Sequence, residues 1–118
     1  MARVYLHRSR LENNYRQIEK ILSPNNIEWG VVSKLLCGTE IYLQELLRLG
    51  VNEFHDSRLN NLKKVKKLDP NATTVYIKPP AKRSIKGIVK HADISLNTQL
   101  STINLLNEEA KRQNKIHK

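Results

Sequence analysis

The chain holds one cysteine, one tryptophan and one phenylalanine in 118 residues, with only four glycines and four prolines. A lone Cys37 excludes an internal disulfide and suits a reducing compartment, so a cytoplasmic protein is expected. No stretch approaches the roughly 20 apolar residues that a bilayer span requires. The N-terminal MARVYLHRSRLENN has no apolar signal core either, and no membrane partner is expected. Acidic residues are scarce beside basic ones: eleven Asp/Glu against twenty-one Lys/Arg leave a net charge of +10. Such an excess attracts polyanions at low salt. The basic residues are spread, however, through stretches such as Lys63, Lys64, Lys66 and Lys67, where helices turn toward water. They lack interleaved aromatic platforms and a recognition-helix motif, so they read as solvated faces, and no nucleic-acid partner is expected.

What is present is an alternation of two periodicities. Residues 3–7 (RVYLH) alternate weakly and predict a short strand. Ser9 followed by Glu12 has the spacing of a capping box, and Leu11, Tyr15, Ile18, Ile21 and Leu22 recur at helical intervals. Further strands are predicted at 27–33, 51–56, 73–78 and 92–97. Helices follow them from Thr39 to a stop at Gly50, from Ser57 to Leu68, from Ser84 to His91, and from Thr98 to Asn114. The last is built on Leu100, Ile103, Leu106 and Ala110, and the closing KIHK reads as the start of one more strand. Strands alternating with helices imply parallel pairing and crossover connections. Two architectures satisfy that spacing: a doubly wound open sheet, or half of a (β/α)8 barrel, which takes about 250 residues when complete. SKLLCGTE contains a single glycine and is no Gly-rich phosphate loop.

Both architectures carry their chemistry at the C-terminal ends of the strands. Polar residues fall there in every repeat: Lys34, then His55 and Asp56, then Lys78, then Asn97. Lys34 stands out because it closes the apolar run of WGVVSKLLCG, where burying an ammonium is expensive unless it is paired or deprotonated. A desolvated lysine at a strand end is an amine suited to forming an imine with a carbonyl. The plainer alternative is a side chain that snorkels out to water. At the second strand end, Asp56 or Ser57 caps the next helix in the plainer reading, and Arg58 faces solvent. Cys37 reads as packing. His91 and Asp93 lie two apart with no third ligand at a suitable spacing, so they read as surface residues and no metal is expected.

Four stretches point further. A helix beginning L-x-x-N-x-x-x-I, a strand ending V-S-K-L-L-C-G, and the stretches DSR-x-x-N-L-K-K and ADISLN together resemble the alanine racemase-like, fold-type III family of pyridoxal-phosphate enzymes. Within it they are similar to the amino-acid racemase branch that includes ornithine racemase. The resemblance spans essentially the whole chain and selects the barrel. It implies an α/β fold in which residues 1–118 are part of a pyridoxal-phosphate-binding domain, the N-terminal (β/α)4 half of a TIM-type (β/α)8 barrel. The opening strand would then belong to a second, mostly β domain, and the chain would continue beyond residue 118. The resemblance also implies that Lys34 forms the internal aldimine with pyridoxal 5'-phosphate. Lys34 would serve as one of two acid/bases at the α-carbon of a small amino-acid substrate. By position, Ser57, Arg58 and Asn97 are further cofactor-binding candidates, with Lys78 behind them.

One departure narrows the substrate. Alanine racemases place a tyrosine four residues after the lysine, where it reaches the cofactor phosphate; here that position is Gly38, and no GHG follows. An ornithine-type or broader amino-acid racemase therefore fits better than a strict alanine racemase. The second acid/base of alanine racemases is a tyrosine from the other domain of the partner subunit, so this stretch alone is expected to be inactive. Half a barrel leaves strand edges and an apolar sheet face uncovered, and a homo-oligomer is expected. Two other classes stay open: a non-catalytic pyridoxal-phosphate carrier of the same barrel fold, and a basic nucleic-acid-binding domain.

Overall fold

Regular structure begins at Arg8 in the computed structural model, which describes all 118 residues. The order is α1 (Arg8–Leu22), β1 (Val31–Val32), α2 (Glu40–Leu49), β2 (Glu53–Asp56), α3 (Leu59–Leu68), β3 (Thr73–Tyr76), α4 (Ile85–His91), β4 (Ile94–Ser95) and α5 (Leu100–Arg112). Single 3₁₀ turns lie at Ser23–Asn25, Lys34–Leu36 and Lys82–Ser84. All strand pairs are parallel, in the spatial order β1-β2-β3-β4. A doubly wound sheet reverses its order at a switch point, and these four strands show no reversal.

Register shows which face the helices cover. Val31 pairs with Phe54 and Phe54 with Thr74, while Asp56 pairs with Tyr76 and Tyr76 with Ser95. Side chains alternate along a strand, so this set shares one face. Phe54 packs there with Tyr15 of α1, Leu43, Leu46 and Leu49 of α2, and Val65 of α3. Tyr76 packs with Leu62 of α3, Ile85, Ile88 and Val89 of α4, and Leu106 and Ala110 of α5. Burial of each such large apolar side chain contributes about 1.5–3 kcal/mol. The helices thus lie on one face. The other carries Val32, His55, Val75 and Ile94 in register, with Val32 still 48% exposed. A parallel sheet in sequential order, covered by helices on one side, is consistent with half of a (β/α) barrel.

Several sequence expectations give way here. Residues 3–7 form no strand, because no neighbouring strand meets them; the Tyr42 hydroxyl donates to the Val4 carbonyl at 3.5 Å, and the His7 carbonyl accepts from Leu11 N–H at 3.0 Å as α1 begins. The Ser9/Glu12 capping box is absent: His7 precedes α1 without a side-chain cap, and Glu12 instead pairs with Arg48 of α2 at 3.2 Å. Arg58 and Gln99, rather than Ser57 and Thr98, occupy the cap positions of α3 and α5. Leu100 and Ile103 are 72% and 46% exposed, so the buried stripe of α5 begins only at Leu106. Gly50 does end α2, at φ +102°, its N–H donating to the carbonyls of Leu46 and Leu47. The closing KIHK also behaves as predicted. Lys118 N–H donates to the Asp93 carbonyl at 3.0 Å and its carbonyl accepts from Ser95 N–H at 2.9 Å, the exchange of a parallel neighbour to β4.

Candidate functional site

The residues singled out in the sequence gather along one edge of the sheet. Ser33 N–H donates to the His55 carbonyl at 2.9 Å, carrying the β1–β2 ladder one residue past Val32. Ser33, Asp56, Tyr76 and Ser95 therefore form the last paired row. Lys34, Ser57, Ile77 and Leu96 follow at the next level, with Arg58, Lys78 and Asn97 just beyond. This is the C-terminal edge of every strand, where parallel α/β folds carry their chemistry.

Lys34 is not a buried strand residue. Pairing stops at Ser33, and Lys34 opens the 3₁₀ turn Lys34–Leu36 with its side chain exposed and free of any hydrogen bond or ion pair. The enclosure expected from the apolar run does not arise within these residues, because the face above the sheet edge is open. Leu35, beside it, is 89% exposed. The turn closes through Cys37 and Gly38, both left-handed at φ +51° and +65°.

Beneath that turn lies a sealed polar cluster. Asp56 is 0% exposed. Its Oδ2 accepts from Ser33 Oγ and from Asn61 Nδ2, each at 3.1 Å, and its Oδ1 accepts from Arg58 N–H at 2.8 Å. The last bond joins Asp56 to the entry of α3, so the side chain does serve the helix start, though as a turn rather than a cap. Lys64 Nζ donates to the Gly38 carbonyl at 2.8 Å. The exposed Arg58 guanidinium lies 3.9 Å from Cys37 Sγ, which brings a second cation beside the Lys34 turn and leaves the cysteine exposed rather than packed.

The other expected residues are placed less favourably. Ser57 is half-buried, and its hydroxyl makes no hydrogen bond. Asn97 turns back on its own strand: Nδ2 donates to both the carbonyl and the hydroxyl of Ser95 at 3.0 Å, leaving Oδ1 buried without a partner. It borders a recess of about 270 Å³ that reaches under α5. Lys78 is exposed. His91 and Asp93 belong to the opposite edge, and no group of three or more ligating side chains is assembled anywhere in the chain. Asp93 is a structural anion. Burial pushes its carboxyl up, but hydrogen bonds from Lys66 and Thr74 outweigh this and hold it below the usual range.

A cleft of about 420 Å³ also lies at that opposite edge, against Tyr15, Glu19, Trp29, Glu53 and Thr73. It contains none of the strand-end candidates. The Lys34 edge has the lysine, arginine, hydroxyl and amide groups but no closed cavity. Asn61 and Lys64 lie within the DSR-x-x-N-L-K-K stretch but were not among the expected site residues, and Lys64, expected on a solvated face, instead reaches Gly38. Asn61 shares the buried stripe of α3 with Val65, and a polar residue in an apolar stripe was the available signal.

No family model matches the chain. It is 33% identical over 109 residues to the ornithine racemase of Acetoanaerobium sticklandii, an alignment covering 92% of this chain and 30% of that protein. The chain thus spans about a third of the length of the relative it matches, which supports a racemase-like family for this segment. No helix is long and apolar enough to cross a membrane.

Proposed function

We propose that this chain is the cofactor-anchoring barrel segment, residues 1–118, of a pyridoxal-phosphate-dependent amino-acid racemase acting on ornithine or a similar basic amino acid. One observation carries the reading. A lysine without any partner stands at the C-terminal end of the first of four sequentially ordered parallel strands, in a segment that matches an ornithine racemase over 92% of its length.

The groups at this edge fit the cofactor in kind. Lys34 offers a free primary amine for an aldehyde; exposed Arg58 and the unengaged Ser57 hydroxyl offer donors to anionic oxygens. The Asn97 Oδ1 left without a partner is an acceptor still to be filled, by a cofactor or substrate donor. When bound, pyridoxal phosphate supplies an electron sink for the carbanion at the substrate α-carbon. Lys34 anchors the group and, once released, takes or returns the α-proton on one face of the substrate. The opposite face calls for a second acid/base, assigned by the family resemblance to a tyrosine outside these residues. Cover over the open sheet face, by further strands or a second copy in a homo-oligomer, would supply the water exclusion that an amine base needs. A cytoplasmic setting suits the single exposed thiol.

The test is chemical. Borohydride reduction in the presence of pyridoxal phosphate is expected to label Lys34, and Lys34→Ala to lose that label. Loss of optical rotation across a panel of L-amino acids is expected to be faster for ornithine or lysine than for alanine. Labelling concentrated on another lysine would remove the assignment, and a preference for alanine would show that Gly38 does not report substrate.

A further inference from the structure

A fully buried carboxylate without a cationic partner needs a physical account. Removing such an ion from water costs several kcal/mol, and an apolar side chain of similar volume would pack the same space without that cost. Asp56 nevertheless stands there at 0% exposure, and the three groups that donate to it come from two segments. Ser33 is the residue immediately before Lys34. Arg58 N–H and Asn61 open α3. A carboxylate does what an apolar group cannot, which is to tie the end of β1 to the start of α3 directionally.

The far end of the same turn is tied to the same helix. Lys64 of α3 holds the Gly38 carbonyl at 2.8 Å, and a Cβ placed on Gly38 would stand 2.4 Å from Asn61 Oδ1. Asn61 therefore lies against the Gly38 end of the segment 33–38 and reaches the Ser33 end through Asp56. Between those ends Lys34 and Cys37 are exposed and Leu35 is 89% exposed, and Leu36 alone packs against the core. Leu36 and the turn's own backbone hydrogen bonds hold its middle, and the polar clamp from α3 fixes its two ends.

We propose that Asp56, acting together with Asn61, is the positioning residue for Lys34. The clamp holds the turn that presents the amine, so that the amine returns to one place each time it is released. What the amine does there rests on the racemase reading; the clamp is a property of this chain's own residues.

Hydrogen exchange on the full chain, with peptide mapping of the pyridoxyl label after borohydride, tests it. In Asp56→Asn, which keeps shape but turns an acceptor into a donor facing Ser33 or Asn61, the amides of Leu36, Cys37 and Thr39 are expected to exchange about tenfold faster or more. Those of Val65 and Ile88 should be unchanged, and the label should move from Lys34 to scattered surface lysines. Ser33→Ala, which removes one donor only, should give the same pattern more weakly and covers the case in which Asp56→Asn does not fold. Unchanged exchange at 36–39, or an equal rise at Val65 and Ile88, would overturn the clamp. A loosened turn with the label still confined to Lys34 would overturn the positioning role. Wild-type label that avoids Lys34 would overturn both the racemase reading and that positioning role, while the exchange result would still decide whether the clamp exists.

Discussion

Gly38→Ala tests the packing of the Lys34 turn against α3 most directly. Two costs arise at once. Gly38 sits at φ +65°, where an L side chain is disfavoured by about 1–2 kcal/mol. Cys37 at φ +51° shows that this turn sustains such strain at a non-glycine position, so strain alone would be tolerated. The second cost is steric: the new Cβ would stand 2.4 Å from Asn61 Oδ1, 3.0 Å from its Cγ and 3.3 Å from Lys64 Cδ. Asn61 is 5% exposed and has no room to yield without withdrawing its Nδ2 from Asp56. A buried hydrogen bond to a charged group lost in this way costs about 1.5–3 kcal/mol. The sum is about 2.5–5 kcal/mol, a large part of a small domain's stability. Urea unfolding of wild type, Gly38→Ala, Asn61→Ala and the double variant measures it. With the Asn61 side chain gone, Gly38→Ala is expected to cost only its strain, so the two substitutions should be less than additive by about 1.5 kcal/mol or more. Strict additivity would refute the contact, and a cost below about 0.5 kcal/mol for Gly38→Ala would refute both the strain and the clash.

Two other perturbations read different parts of the molecule. Burial holds the pKa values of His117 and His91 below the ordinary histidine value, with Lys115 adding to the effect at both; the Ala92 carbonyl and Asp93 oppose it at His117, and Lys63 and Lys90 reinforce it at His91. The folded state therefore favours the neutral rings. Their contribution is complete above about pH 6.5 and is lost as pH falls from there toward the depressed folded values. His117→Gln should flatten the fall in urea midpoint below pH 6.5, and an unchanged slope would exclude His117 as its source. The open sheet face, with Val32 and Leu96 at 48% and 54% exposure, should drive self-association of the 118-residue chain. Light scattering is expected to give a multiple of 13.7 kDa, and Val32→Lys to shift it toward that value; a monomeric wild type would refute the expectation.

Several features of this protein follow from the order of residues alone. The βα alternation, the stop at Gly50, the beginning of a strand in KIHK and the polar residue at each strand end were all legible, because each depends on local periodicity or on one residue's backbone preference. Lys34 stands out in the same way, from an apolar run broken by a cation. Tertiary structure decided the rest. Residues 3–7 have a strand's alternation but no strand beside them, and β structure exists only where a partner supplies the hydrogen bonds. Leu100 and Ile103 have helical spacing, but what buries a residue is a neighbour, and α5 meets its neighbours only from Leu106 onward. The same rule separates Lys34 from Asp56. Sequence context made the lysine look buried and the aspartate look like a surface cap. Pairing that ends at Ser33 leaves the lysine exposed, and α3 closing over the strand end takes the aspartate out of water. Local pattern determines which segments can be strands or helices; long-range packing determines which of their polar groups water still reaches.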